Sequence, residues 1–328
     1  MKAIVTGATG FLGGHLVDKL LADGWEVIAL GRNISKGQIL QQAGAHFKAV
    51  DLTDGDKLQK AFEPADVVFH CAALSSAWGE YSDFYRMNVE ATRHVLNSAQ
   101  KHKIAKLVHV SSTSVYFNFS DHCNIRESEV LSSHFANAYA KTKYLSEQIL
   151  LNERNGNTEV VIIRPRGIIG EGDTSIMPRI MRIAKRGWFP LLKQGRALVD
   201  ITYVKNAVNA LLLAARAENV NGECINISNQ QALSVAELLH KIFSQQKFTV
   251  RLVPVSYRAL DGMALVMEFF HRLFRLSEPV ITRYGLGLLR YSQTLNADKA
   301  RDLLGYEPEY DLDEAIQRYM KWKNESGI

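Results

Sequence analysis

Tyr139 and Lys143 stand four residues apart in Tyr139-Ala140-Lys141-Thr142-Lys143, a spacing that places both on one face of a helix. A phenol with a pKa near 10 is a poor base at neutral pH, and an ammonium beside it favours the phenolate. Such a pair can move a proton, and the lysine can also hydrogen-bond a cofactor ribose. A Tyr–Lys pair alone is common surface decoration. The run Ser111-Ser112-Thr113-Ser114-Val115-Tyr116 strengthens the case, because it brings hydroxyls to the C-terminal edge of a parallel sheet, where ligands of such folds bind.

The second chemical motif is Gly7-Ala8-Thr9-Gly10-Phe11-Leu12-Gly13, between an apolar strand, Ala3–Val5, and a helix, Phe11–Ala22. Glycines here allow a tight turn, close backbone approach to a pyrophosphate, and close helix–strand packing. The helix start then offers free N–H groups to the anion. Gly7, Thr9, Gly10, Phe11, Leu12 and Gly13 are therefore expected to bind a dinucleotide. An acid ending the second strand would take the ribose 2′-OH of NAD, but here Leu30 is followed by Gly31-Arg32. A guanidinium fork suits a 2′-phosphate, so NADP(H) is favoured over NAD(H), with Arg32 as its partner. Asp51-Leu52, past the third strand, can lie along the adenine, and a turn explains Asp51 almost equally well.

Alternating elements must position these groups. Strands are expected at Ala3–Val5, Glu26–Leu30, His46–Val50, Val67–Cys71, Leu107–Ser111 and Val160–Arg164, with helices at Phe11–Ala22, Tyr85–His102 and Ala138–Asn152. That order implies an α/β fold, a doubly wound parallel (Rossmann) sheet covered on both faces. After Gly167 the pattern loosens into a loop-rich basic stretch. Helices at Val204–Ala217 and Ser234–Phe243 and strands at Cys224–Ile227 and Arg251–Val255 follow. Residues 1–169, with a return segment 200–229, are expected to form the dinucleotide domain. Residues 170–199 and 230–328 are expected to form a smaller, interleaved C-terminal substrate domain.

Composition narrows the class. The 328 residues are 47% apolar and 22% charged, which excludes a disordered chain or a disulfide miniprotein. Three cysteines without a CxxC pair, and scattered histidines, give neither a disulfide framework nor a metal site. The start lacks a signal-peptide core and no run is long enough to span a bilayer, so the chain reads as cytoplasmic, with peripheral membrane contact left open. The net charge of +5 is concentrated in 154–196 and 272–301. This favours an anionic ligand or an anionic membrane surface and argues against nucleic acid.

Taken in order, Gly7-x-x-Gly10-x-x-Gly13, His70-Cys71-Ala72-Ala73, Asn88-Val89-Glu90-Ala91-Thr92, Ser112 and Tyr139-x-x-x-Lys143 resemble the extended short-chain dehydrogenase/reductases over nearly the whole chain. The resemblance implies hydride transfer at the nicotinamide, with Tyr139 as general acid/base and Lys143 on the ribose. Ser112 would polarise the substrate oxygen, with Thr113 in reserve. It implies further cofactor contacts from Cys71, Ala72, Ala73, Asn88, Pro165 and Gly167, and substrate contacts from Ser75, Trp78, Thr113 and Arg166. His70, above the crevice, is expected to pack and not to catalyse. Trp78 is open between a substrate contact and a hydrophobic plug.

Within that family, dehydratases carry an Asp-Glu pair where Thr113-Ser114 stands, and sugar-nucleotide members carry an asparagine where Gly167 stands. Arg164-Pro165-Arg166-Gly167-Ile168-Ile169-Gly170 and Thr202-Tyr203-Val204-Lys205-Asn206-Ala207 instead resemble the 3β-hydroxysteroid dehydrogenase branch. Ser75-Ser76-Ala77-Trp78-Gly79, Glu278–Arg283 and Leu303–Pro308 are similar to bacterial β-keto acid reductases of olefin synthesis. The implied activity interconverts a ketone and a secondary alcohol on a bulky apolar substrate, a 3-keto/3-hydroxy fatty acid or a steroid-like ring. A sugar-nucleotide epimerase or dehydratase with retained NAD and a non-catalytic NADPH-binding scaffold are the rival readings. The segment 259–276 has a narrow polar arc (Asp261, Glu268, His271, Arg272, Arg275) and a broad apolar face. It reads as a helix buried between domains, a pocket wall or lid, or a contact with a membrane or a second copy in a homodimer.

Overall fold

The short apolar runs assemble, in the computed structural model, into a seven-stranded parallel sheet; the structure describes residues 1–129, 131, 134–246 and 249–327. Its strands are β1 (Lys2–Thr6), β2 (Glu26–Gly31), β3 (His46–Ala49), β4 (Val67–His70), β5 (Lys106–Val110), β6 (Glu159–Pro165) and β7 (Cys224–Ile227). Their spatial order is β3-β2-β1-β4-β5-β6-β7, and every pairing is parallel. The winding reverses between β1 and β4, which opens a crevice at their C-terminal ends.

Side chains alternate across the sheet with the period of two that a strand imposes. Ala3, Val5, Val27 and Ala29 pack on one face under α1 (Phe11–Ala22), which contributes Leu16, Val17 and Leu20. Ile4, Ile28 and Leu30 pack on the other, under α2 (Ala91–Lys101) and α3 (Ala138–Glu153), through Val95, Leu96 and Leu150. The helix α4 (Val204–Arg216) adds Leu211 and Leu212 to the first face.

A second sheet runs in the order Leu233–Ser234, Leu198–Val199, Gln293–Leu295, His122–Ile125. Beside it lies a separate core built on Met177, Phe189, Leu238, Ile242, Ile316 and Tyr319. Residues 122–125 come from the first half of the chain, an excursion four residues too short to show any period. The helix expected over Tyr85–His102 divides into a π-helical segment, Tyr85–Glu90, followed by α2.

The segment 259–276 departs most from a buried interdomain helix. The helix α5 (Tyr257–Leu273) buries only Ala264. The two acids of its polar arc face the protein, while Arg272 and Arg275 stay exposed: Asp261 Oδ1 accepts from Arg283 Nε at 2.9 Å, and Glu268 Oε1 accepts from Arg283 N–H at 2.7 Å, at the start of α6 (Arg283–Arg290). Its apolar side faces out, with Phe269, Leu273 and Phe274 exposed by 62%, 61% and 64%. This is the reverse of the arrangement water selects for a surface helix.

Candidate active site

β1 ends at Thr6, and Gly7 turns the chain with φ +71°, in the left-handed region. A Cβ on Gly7 would lie 2.7 Å from Ala72 Cα, and one on Gly13 would lie 2.2 Å from Gly7 O. Glycine is therefore required for β1, α1 and the end of β4 to close together. Gly10 caps α1 without a side-chain partner, and the first turn carries no acid. The opening N–H groups and the positive dipole end are thus left for an anion, so the cradle fits a dinucleotide pyrophosphate.

The far end of the cradle selects against a carboxylate. A Cβ at Gly31 would sit 2.6 Å from Thr9 Oγ1, so no side chain fits there without moving Thr9. Arg32 follows, exposed, with Nη1 3.9 Å from Met87 Sδ. Asp51 accepts from the N–H and the hydroxyl of Thr53, at 3.0 and 2.9 Å. Those bonds, then the charges of Arg32 and Arg86, hold its carboxyl below the usual range. Leu52 is buried beside it.

Below the crevice runs a chain of hydrogen bonds. Thr92 donates its hydroxyl proton to Asn88 O at 2.6 Å, so it can only accept from His70 Nε2, 2.9 Å away. That fixes His70 Nδ1 as the acceptor for Thr6 Oγ1 at 2.7 Å. Burial, then the charge of Lys143, pushes His70 down to about 3, so it stays neutral as a packed floor residue. Asn88 Nδ2 donates to Leu74 O and Thr142 Oγ1, both at 3.1 Å, while Oδ1 accepts from Leu74 N–H at 2.7 Å. The side chain of Asn88 thus straps the loop after β4 to α3. In that loop Cys71 is pushed up to about 12 by burial, Cys71 and Ala72 lie against Gly7, Ala73 follows them half-buried, and Ser75 is exposed. Trp78 donates from Nε1 to Leu276 O at 3.3 Å and lies under the Arg272 guanidinium at 5.3 Å, pinning the end of α5 over this side of the molecule.

Asn137 starts α3 by accepting from Ala140 N–H at 2.8 Å. One face then presents Tyr139, Lys143 and Glu147 at four-residue intervals. Ser112, just beyond β5, places its hydroxyl close enough to the Tyr139 phenol to favour the phenolate. Burial outweighs that influence and raises the phenol to about 12, so it is protonated at neutral pH. The expectation that Lys143 pulls the phenol down is not met in this arrangement. Its ammonium, 1% exposed, donates to Val110 O at 2.7 Å and meets His109 Nε2 at 3.1 Å. Burial lowers Lys143 to about 8, with the Glu147 carboxylate opposing. Glu147 is in turn gripped by Arg164, Nε to Oε1 at 2.9 Å and Nη2 to Oε2 at 2.7 Å. Tyr116 donates to Asn226 Oδ1 at 2.9 Å and accepts from Arg164, so it braces this network.

β6 ends beside Ser112. Pro165 O lies 3.5 Å from Thr113 Oγ1, and Gly167 turns with φ +42°. Between them Arg166 is 8% exposed, its backbone held by Ile227 O and Thr202. The structure also brings in Tyr284 of α6, which lies within electrostatic reach of both Tyr139 and Arg166. No local pattern around Tyr284 marks it; only the tertiary fold carries it there. Gathered at the sheet edge are therefore Gly7–Gly13, Cys71–Ala73, Ser112, Thr113, Tyr139, Lys143 and Pro165–Gly167. Arg32, Asp51 and Leu52 lie at the second- and third-strand side, and Ser75 and Trp78 lie out on the loop.

A profile of the NAD dependent epimerase/dehydratase family matches residues 3–228. The uncharacterized protein YbjS of Escherichia coli K12 is 34% identical over 337 residues, covering 100% of this chain and 99% of its own length. The 2-alkyl-3-oxoalkanoate reductase of Stenotrophomonas maltophilia is 31% identical over 325 residues, covering 97% and 98%. Among solved structures, the UDP-glucuronic acid 4-epimerase of Bacillus cereus in complex with NAD superposes with a TM-score of 0.75 at 22% identity, covering 99% of each chain. That likeness is one of fold.

Within this cluster Lys143 is the group whose charge changes near neutral pH, since His70 lies at about 3 and Cys71 and Tyr139 at about 12. Its folded pKa lies below the unfolded 10.5, so its burial penalty is full below about 8 and is relieved as pH rises toward 10.5. The ammonium available to a ribose follows the opposite course and is lost above about 8. NADPH affinity, titrated by nicotinamide fluorescence from pH 6 to 10, is expected to weaken through pH 8, and Lys143→Met should remove the inflection. An inflection unchanged in that variant assigns the titration to another group.

Proposed function

We propose that this chain, which belongs to the NAD dependent epimerase/dehydratase family, falls in its 3β-hydroxysteroid dehydrogenase-like branch and is an NADP(H)-preferring oxidoreductase that interconverts a ketone and a secondary alcohol on a bulky apolar substrate. The observation that carries the reading is the grouping of Ser112, Tyr139 and a buried Lys143 at the C-terminal edge of the sheet that also bears the glycine cradle. A nicotinamide dinucleotide bound on Gly7–Gly13 supplies or accepts the hydride. Ser112 and Tyr139 hold the substrate oxygen between two hydroxyls. A phenol held near 12 is a proton donor at neutral pH, so it suits the reduction, in which Tyr139 protonates the forming alkoxide. Lys143 orients the ribose, and the charge it keeps below about 8 lies one helical turn from the phenol.

The relative named a 2-alkyl-3-oxoalkanoate reductase supports a 3-keto acid as the substrate. Thr113-Ser114 and Gly167 at the positions noted above count against a sugar nucleotide. We assign the dinucleotide cradle to residues 1–169 with 200–229, and the substrate side to 170–199 and 230–328. Tyr139→Phe should lower kcat for NADPH-driven reduction of a long-chain 3-keto acid by about 10²–10⁴-fold while leaving NADPH binding nearly intact. Full turnover in that variant removes the mechanism. Conversion of a nucleotide sugar without net NADPH oxidation would replace the reading with an epimerase.

NADP(H) preference rests on Gly31, where an acid would have to displace the Thr9 side chain, and on Arg32 beside it. Arg32→Ala is expected to weaken NADPH by about tenfold or more, with NADH little changed, as measured by fluorescence titration. An equal loss for both cofactors takes the 2′-phosphate away from Arg32.

Among the described residues no helix is long and apolar enough to cross a membrane. We place the protein in the cytoplasm, resting on a bilayer through α5. Supporting this are its outward face of Phe269, Phe270, Leu273 and Phe274, and exposed Arg258, Arg272 and Arg275, which suit anionic headgroups. Each such apolar side chain gains about 1.5–3 kcal/mol when withdrawn from water. Co-sedimentation with phosphatidylglycerol-containing vesicles is expected, weakened by salt and lost in a Phe269→Ser, Leu273→Ser, Phe274→Ser variant. If the native protein ignores vesicles and the same variant turns a dimer into a monomer by light scattering, α5 is an interface between copies instead.

A further inference from the structure

Arg164 lies near the end of β6 and Arg166 just beyond it, yet their surroundings differ. Arg164 is matched bidentately by Glu147. Arg166 is 8% exposed, its Nε is buried without a hydrogen-bond partner, and it forms no ion pair with a carboxylate among the described residues. A guanidinium withdrawn from water and left unpaired costs several kcal/mol, which an anion docking against it would recover.

The groups around it define what fits. Asp200 interacts with Arg166 from the neighbouring segment but stays outside ion-pair distance; its Oδ2 accepts from Leu295 N–H at 2.7 Å, and its Oδ1 is itself unpaired. Tyr284, held edge-on by Phe117 at 5.5 Å, lies within electrostatic reach of both Arg166 and Tyr139. The neighbouring strand, β5, leads within two residues to Ser112, and adjacent strands are about 4.8 Å apart. An anionic group at Arg166 would thus sit close to a carbonyl held by Ser112 and Tyr139.

We propose that Arg166, with the Tyr284 hydroxyl, binds the carboxylate of a 3-keto acid whose ketone lies on Ser112 and Tyr139. This rests on the ketoreductase reading and narrows it. In a 3-keto acid a single carbon separates the carboxylate from the ketone, which matches an arginine one strand from the catalytic hydroxyls. A steroid-like ring without a carboxylate leaves Arg166 unpaired and is disfavoured. The fork geometry also explains why arginine stands here and not lysine.

The test compares 3-oxodecanoate with its methyl ester in NADPH oxidation by the full-length enzyme. The acid is expected to be favoured by about 100-fold in kcat/KM, mainly through KM, because a charge-assisted bond is lost in the ester. Arg166→Met should bring the acid-to-ester ratio near one, and Arg166→Lys should leave it between. If Arg166→Met does not fold, the wild-type ratio and Arg166→Lys decide. Equal use of acid and ester by the wild type overturns the proposal. So does a ratio unchanged in Arg166→Met, which would assign Arg166 to a water-bridged pairing with Asp200. Reduction of neither compound defeats the ketoreductase reading itself. The anion site is then judged by calorimetry, where decanoate but not methyl decanoate should bind the wild type, and equal binding overturns it.

Discussion

A lysine ammonium buried between a helix and a parallel sheet is the constraint around which this molecule is arranged. Lys143 cannot be hydrated, so its protons go to Val110 O, and its charge is balanced by Glu147 one turn along α3. Glu147, fully buried, then requires Arg164, and Arg164 requires Tyr116 and Asn226 to complete its bonds. Removing one member of such a buried pair costs about 3–5 kcal/mol, because a bare charge remains. The network therefore fixes the height of α3 over β5 and β6, and with it the distance between Tyr139 and Ser112. The same dry surroundings raise the phenol and depress the ammonium, and this divides the labour into a proton donor and a cation that titrates within reach of physiological pH.

The substrate side is organised by a second imbalance of polarity. α5 turns its acids inward to Arg283 and its aromatic residues outward, while Trp78 ties its end to the loop after β4. Arg166 leaves its buried Nε without a partner. A carboxylate beside a ketone would satisfy that group, while the outward aromatic face of α5 suits a bilayer. The basic excess in residues 154–196 and 272–301 is thereby resolved into separate uses: Arg164 for structure, Arg166 for an anion, and Arg272 at the rim of the apolar face.

What was legible in the sequence was local or ordered. The glycine turn, the Ser112–Tyr139–Lys143 set and the strand alternation are short-range patterns whose backbone consequences follow directly, and the parallel sheet and crevice follow from them. Orientation was not legible. Helical periodicity separates the polar and apolar faces of α5 but carries no information on which face meets the protein. The spacing of Tyr139 and Lys143 places them together but does not say that the ammonium turns to Val110 and His109. The resemblance marks Asn88 as a cofactor contact, but nothing local to it says that its amide reaches Leu74 and Thr142. Tyr284 and the strand at His122–Ile125 depend on contacts between distant segments, which no window of sequence contains.

The central claim is net hydride transfer to a ketone, with the proton from Tyr139. It is tested most directly by turning over a 3-keto acid with NADPH deuterated at nicotinamide C4 and locating the label by mass spectrometry. The account predicts that deuterium from one face of the nicotinamide appears on the carbinol carbon, in step with NADPH oxidised. Label that stays on a cofactor recovered in its reduced form, while substrate is converted, would contradict it.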